Sequence, residues 1–243
     1  MAGKNTRFHD MGIDIPKYLL PFKNVTVLET IILELLKSEN ISDVHLVAHL
    51  RDKTFKPELE KILSSLDLNT QNLYYIGETD GQAETAYLAA ELIHNKQDKP
   101  IIFHNADTVL IGRDFSSLKE SVSNGLGFID VFRSTSPSYS YVQLEGRNVV
   151  QIIEKNPISD YATSGLYAFD SSKEYRSAFR NSYGQITSSK QELYISNVIS
   201  DLISQGKGFR ADLESHDNLK VQTLVLGTPR EYNSIISSMG ERF

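Results

Sequence analysis

Apolar residues first recur in order at Val27, Leu28, Ile31, Ile32, Leu35 and Leu36, a spacing that lines one face of a helix. Residues 1–24 show no such period and are rich in Gly, Asn, Pro and Lys, so they read as irregular. Further along, the pattern predicts a strand at Val44–Leu50, a helix at Lys56–Leu66, a short strand at Leu73–Ile76 and a helix at Gln82–His94. A compact apolar strand at Pro100–Phe103 then stops at His104-Asn105-Ala106-Asp107. Strand and helix in alternation argue for the α/β class, with a mostly parallel sheet flanked by helices. Ligands of such sheets bind beyond the C-terminal strand ends. Asp107 and the Gly81–Thr85 segment fall at such ends.

The second half changes character. Leu126–Phe132, Tyr139–Leu144, Val149–Ile153 and Tyr161–Phe169 read as strands, with Glu145-Gly146 as a hairpin turn between two of them. Helices follow at Lys173–Arg180 and Gln191–Gln205, short strands at Phe209–Leu213 and Gln222–Leu226, and a last helix opened by Pro229. No repeat or low-complexity linker divides the chain. Residues 1–243 are therefore read as a single domain, with a nucleotide-binding half over 1–120 and a substrate-binding half over 121–243.

Composition narrows the chemistry. The net charge is −6, with no block of Lys or Arg, which argues against nucleic acid as a partner. Cysteine is absent, so disulfides, thiolate metal sites and Cys nucleophiles are excluded. No apolar run approaches membrane-spanning length and the N-terminal segment has no apolar stretch, so no membrane partner and a cytoplasmic location are expected. Oligomeric state is not legible, a homo-oligomer included.

The opening segment Ala2-Gly3-Lys4-Asn5-Thr6-Arg7 is a short polar loop, and Pro16-Lys17 follows ten residues later. Backbone N–H groups of such a loop can approach phosphates, with Arg7 binding through paired hydrogen bonds and Lys17 as a point charge. It is not a P-loop, because the G-K-[ST] ending is missing. Gly3-Lys4-Asn5-Thr6-Arg7 with Pro16-Lys17-Tyr18-Leu19-Leu20-Pro21 resembles the signature of the sugar-phosphate nucleotidyltransferases, or nucleotide-sugar pyrophosphorylases. The resemblance implies a Rossmann-like, GT-A-like fold and a loop of residues 2–6 that wraps an NTP triphosphate, with Arg7 and Lys17 on the phosphates. Asn5 stands where the family usually has a second Gly.

Three further segments match in the family's order. Thr79-Asp80-Gly81-Gln82-Ala83-Glu84-Thr85-Ala86 resembles the loop that reads the base, with Gly81 and Gln82 as binding residues; Glu84 reads as a favourable charge near a helix start. Asn105-Ala106-Asp107-Thr108 resembles the segment whose Asp binds Mg²⁺, which carries that role to Asp107. Glu154-Lys155 and Ser164-Gly165 resemble the substrate-binding segments, with Glu154 on sugar hydroxyls, Lys155 on phosphate and Gly165 beside the sugar.

Two departures stand out. The family often has a second metal-binding Asp before a late Gly-Thr-Pro, where this chain has Val225 before Gly227-Thr228-Pro229; Asp212, Glu214 or Asp217 are alternative carboxylates. Family members also begin with an apolar strand ahead of the loop, so a longer native chain is expected. The implied reaction is attack of a substrate phosphate on the α-phosphorus of an NTP, releasing pyrophosphate and feeding capsule or surface-polysaccharide synthesis. The catalytic set is Arg7, Lys17, Asp107 and Lys155, the cofactor is Mg²⁺, and the substrate is a phosphorylated small molecule, first of all a sugar 1-phosphate. The alternatives are a cytidylyltransferase acting on phosphocholine or a phospho-amino acid, a glycosyltransferase of related fold, and a non-enzymatic sensor.

Overall fold

The computed structural model describes Met1 and residues 5–39, 41, 43–93, 98–186, 192–212 and 220–240. In chain order the elements are α1 (Thr6–His9), β1 (Pro21–Phe22), β2 (Val25–Thr26), α2 (Val27–Leu36), β3 (Leu46–His49), α3 (Lys56–Ser65), β4 (Leu73–Ile76), α4 (Gln82–Ile93), β5 (Ile101–His104), β6 (Thr108–Ile111), α5 (Ser116–Ser123), β7 (Gly127–Arg133), β8 (Tyr141–Glu145), β9 (Asn148–Ile153), β10 (Tyr161–Phe169), α6 (Ser172–Ile186), α7 (Ile195–Ser204), β11 (Phe209–Ala211), β12 (Gln222–Val225) and α8 (Pro229–Gly240). Tight 3₁₀ turns occupy Lys17–Leu19 and Leu50–Phe55.

The chain divides into two compact units. The first takes Met1–Gly77, Asn105–Arg113 and Leu219–Phe243, the second Glu78–His104 and Asp114–Asn218. The units interleave along the sequence, so they do not coincide with the halves expected over 1–120 and 121–243.

In the first unit, β3 and β4 run parallel with α3 between them, and β6 and β12 pair antiparallel, Val225 opposite Thr108. Helix α2 starts where its sequence says it must. Thr26 accepts from Glu29 N at 3.1 Å while the Glu29 carboxylate accepts from Thr26 N at 2.8 Å, a reciprocal cap that satisfies donors the first turn leaves free. Its buried residues split between two clusters. Leu28 and Ile32 pack with Tyr18, Leu46, Ala48 and Leu59, whereas Val27 and Ile31 pack with Phe8, Phe22, Val109 and Leu226. Each such side chain contributes about 1.5–3 kcal/mol on burial, so α2 ties the N-terminal loop to both pairs of strands.

In the second unit six strands form one sheet in the order β5-β10-β7-β11-β9-β8. Helices α4, α6 and α7 cover it, with Ala83, Ala86, Tyr175, Phe179, Ile195, Val198 and Ile199 in the shared core. The mixed sheet flanked by helices is as expected. Its parallel share is small: among the described pairings of this sheet only β7–β11 is parallel, and β3–β4 is the parallel pair of the first unit. The hairpin at Glu145–Asn148 and the return of β10 between β5 and β7 impose antiparallel partners.

Several boundaries differ from the sequence reading. The strand expected at Val44–Leu50 ends at His49, whose Nδ1 accepts from Arg51 N at 3.0 Å and turns the chain into the 3₁₀ segment. The helix expected from Gln191 starts at Ile195, capped by Tyr194 and Asn197. The β1–β2 hairpin, β6 and α5 were not anticipated.

Candidate active site

In the first unit, Asn5 adopts φ 54° and ψ 17°, the left-handed conformation that glycine takes freely and Asn tolerates best among other residues. Its side-chain amide donates to Ile15 O at 3.2 Å and closes the loop. The position that departs from the family pattern thus keeps the backbone geometry of a glycine. Ala2, Gly3 and Lys4 lie outside the described residues. Thr6 and Arg7 are exposed on α1, which Phe8 anchors in the core.

Lys17 begins a 3₁₀ turn behind Pro16. Its Nζ lies 2.5 Å from Asp107 Oδ2, with both side chains about one-quarter or less exposed. The next residue, Tyr18, is buried and donates its hydroxyl to Asp52 Oδ2 at 2.8 Å. Burial, reinforced by the Asp52 carboxylate, raises the Tyr18 phenol well above its usual range; the phenol therefore stays a donor. Asp107 is held by its backbone, whose carbonyl accepts from Leu226 N at 2.7 Å, and Thr108 Oγ1 lies 3.4 Å from Oδ1.

A Cβ on Gly227 would stand 3.2 Å from Asp107 Oδ2 and 3.6 Å from Glu231 Oε2. A side chain at position 227 would therefore press on the same carboxylate oxygen that pairs with Lys17. The same geometry brings forward a carboxylate the sequence did not single out, Glu231, which accepts from Thr228 Oγ1 at 2.8 Å at the start of α8. Its signal in the sequence was the Thr228-Pro229-Arg230-Glu231 spacing of a capping box. Of the alternatives to an Asp at Val225, Asp212 belongs to the second unit, and Glu214 and Asp217 lie outside the described residues. Among the described residues no group of three or more His, Asp or Glu side chains forms a metal cage.

In the second unit, the segment around Gly81 is clamped to the chain ahead of α7. Ala83 N donates to Leu193 O at 2.9 Å and Leu193 N to Asp80 O at 3.3 Å. A Cβ on Gly81 would fall 2.5 Å from Leu193 O and 2.7 Å from Leu193 N, so the contact requires glycine. Gln82 Oε1 accepts from Ile195 N at 3.4 Å, and Glu84 Oε2 accepts from Asp80 N at 2.6 Å, a capping role.

Glu154 and Lys155 follow β9. Glu154 Oε2 accepts hydrogen bonds from Ser140 Oγ and, at 2.6 Å, from Ser196 Oγ. Lys155 has φ 54°, donates its backbone N–H to Tyr139 O at 3.1 Å, and donates through Nζ to the Tyr194 hydroxyl, which in turn donates to Glu192. The bond to Tyr194 raises the Lys155 ammonium above its ordinary pKa. Burial first, then Glu192, raises the Tyr194 phenol. Gly165, at φ 89°, sits where the register of β10 against β7 shifts between Thr163 and Tyr167. Ser164 is buried and its hydroxyl accepts from Leu166 N at 3.3 Å. Lys17 and Asp107 are thus brought together in one unit. Glu154, Lys155 and the Gly81–Gln82 segment are linked in the other through residues 192–196, which sequence reasoning did not identify.

The family model described as nucleotidyl transferase matches residues 1–216. No curated protein matches the sequence. Among solved structures, a nucleoside-diphosphate-sugar pyrophosphorylase from Vibrio cholerae is similar at 26% identity and a TM-score of 0.80, over 96% of both chains. A UDP-glucose pyrophosphorylase complexed with UDP-glucose is similar in fold at 15% identity and a TM-score of 0.72, over 100% of this chain and 97% of that one. An inositol-1-phosphate CTP transferase from T. maritima is similar in fold at 14% identity and a TM-score of 0.70, over 97% and 90%. With a family model spanning residues 1–216, this chain belongs to the nucleotidyl transferase family.

Proposed function

We propose that the protein transfers the nucleoside monophosphate of an NTP to a sugar 1-phosphate and releases pyrophosphate. The observation that carries this reading is Lys17 Nζ at 2.5 Å from Asp107 Oδ2, a cation and a carboxylate positioned by separate segments of one unit. Nucleotidyl transfer to a phosphate monoester needs no general base, because the nucleophile is already anionic. It needs the two anions to be held in line and their charge neutralised.

In this reading Arg7 and Lys17 hold the departing pyrophosphate, and the backbone of the 2–6 loop follows the triphosphate. Gly81 and Gln82 shape the base side. Lys155 meets the incoming phosphate, and Glu154 accepts from hydroxyls of the organic part, with Ser164 and Gly165 alongside. The contacts of Glu154 and Lys155 are with hydroxyl groups, which suits a polyhydroxylated substrate better than a quaternary ammonium, whose usual partner is an aromatic cage.

Mg²⁺ fits Asp107: a single carboxylate whose side chain is 20% exposed matches an ion that keeps several waters and shares its shell with phosphates. Bound there, Mg²⁺ would neutralise charge on the phosphates. A cytoplasmic role in surface-polysaccharide precursor synthesis accords with this chemistry; among the described residues no helix is long and apolar enough to cross a membrane.

The test is pyrophosphate release with Mg²⁺ across CTP, UTP, dTTP, GTP and ATP against a panel of sugar and non-sugar phosphates. Release from one NTP with one sugar 1-phosphate is expected. Turnover only with a non-sugar phosphate would replace the sugar reading with the cytidylyltransferase one. No release from any pair would overturn both.

A further inference from the structure

Glu154 and Lys155 are held by one short stretch of chain. Ser196 is 1% exposed and Ser140 7% exposed, and both direct their hydroxyls to the same carboxylate oxygen, Glu154 Oε2. A carboxylate offers about four acceptor positions on two oxygens, and among the described residues both hydroxyls fall on Oε2, which leaves Oε1 the oxygen suited to a substrate donor. Lys155 is placed from two sides. Its backbone takes a left-handed conformation, which a non-glycine residue keeps only where its surroundings over-determine it, and its ammonium is caught by the phenol of Tyr194, itself anchored by Glu192. The same stretch is fixed from behind by Asp80, Gln82 and Ala83 through Leu193 and Ile195.

We propose that Glu192–Ser196 is a positioning segment for the phosphorylated substrate. Ser196, with Ser140, locks one oxygen of Glu154 so that the other accepts a substrate hydroxyl, and Tyr194, braced by Glu192, holds the Lys155 ammonium ready for the substrate phosphate. Ser196, Tyr194 and Glu192 act through Glu154 and Lys155 and are positioning residues. The proposal rests on reading Glu154 and Lys155 as the substrate residues. It goes further in assigning discrimination between polyhydroxylated phosphates to a segment that the motifs read from the sequence did not include.

The test uses the full chain and whichever NTP and sugar 1-phosphate pair releases pyrophosphate fastest. Ser196→Ala is expected to raise KM for the sugar phosphate about tenfold, the factor that one lost hydrogen bond of ordinary strength represents, with kcat and the KM for NTP little changed. Ser196→Thr, which keeps the hydroxyl, restores KM. Tyr194→Phe raises the same KM and lowers the Lys155 pKa, followed by NMR of ¹³C-methylated lysines in the protein alone. Equal KM values for the Ala and Thr variants, a parallel loss in kcat and NTP affinity, or an unmoved Lys155 titration in Tyr194→Phe would overturn the proposal. If the wild-type chain turns over no pair at all, the functional reading falls, while the lysine titration still decides whether Tyr194 positions Lys155.

Discussion

Adding one methyl group at Gly81 tests the clamp between the base-side segment and Leu193. In Gly81→Ala the new Cβ would lie 2.5 Å from Leu193 O and 2.7 Å from Leu193 N, and both are backbone atoms that cannot rotate away. The backbone there sits at φ 153°, which disfavours a side chain as well. Relief requires the segments to separate, which breaks the hydrogen bonds from Ala83 N to Leu193 O and from Leu193 N to Asp80 O. Two such bonds are worth about 1 kcal/mol each net, and the unfavourable φ adds roughly 1–3 kcal/mol, for a loss of about 3–5 kcal/mol. The chain has no tryptophan, so urea unfolding is best followed by far-UV circular dichroism, with each transition fitted separately if the two units unfold apart. Gly81→Ala should shift the transition that reports the second unit and weaken NTP binding. A loss below about 1 kcal/mol would refute the reasoning, since no arrangement that keeps both hydrogen bonds also admits the new atom.

Other perturbations separate chemistry from stability. Lys17→Ala and Asp107→Ala should each lower turnover at least about 100-fold, the scale of removing one charge-stabilising group, with unfolding midpoints near wild type; wild-type turnover in both would remove them from the site. Gly227→Ala places its Cβ against Asp107 Oδ2 and Glu231 Oε2 and should weaken Mn²⁺ binding, read by electron paramagnetic resonance, with little effect on unfolding. Unchanged Mn²⁺ affinity would argue against metal at Asp107. Tyr18→Phe leaves Asp52 buried without its donor and should cost about 1–3 kcal/mol of stability in urea; a neutral result would mean Asp52 gains another partner.

What the sequence disclosed depended on how local each signal was. Helix α2 was legible because its apolar residues recur at helical spacing, and its buried Val27, Leu28, Ile31 and Ile32 are among them. Strands β4 and β10 were legible as bounded apolar runs. Helix α5 was not, since only Leu118 and Ser121 of its residues are buried, too few to make a period. Lys17 and Asp107 could be named from motifs, but their contact spans 90 positions and no spacing rule reaches that far. Ser140 and Ser196 lie 14 and 42 positions from Glu154. Serine at either place carries no pattern, and only the folded sheet and the start of α7 bring them to one oxygen. Asn5 ran the other way: a residue that looked like a departure preserves the loop, because its side chain suits a left-handed backbone and spans to Ile15.

The interleaving of the two units sets an order on how the chain matures. The first unit is built from three stretches separated by long excursions into the second, and β6 finds its partner β12 more than a hundred residues downstream, Thr108 against Val225. During synthesis the hydrophobic faces of α2 and β6 emerge well before Leu224, Leu226 and α8, which pack against that cluster. The second unit has all its segments once residue 218 has been made, whereas the first must wait for the last stretch of chain. Long-range closure of this kind is slow relative to local structure, and an unpaired β6 is exposed to association with other chains meanwhile. Stop codons or tags that disturb residues 220–240 are therefore expected to show themselves first as poor yield, in a region that holds none of the substrate residues.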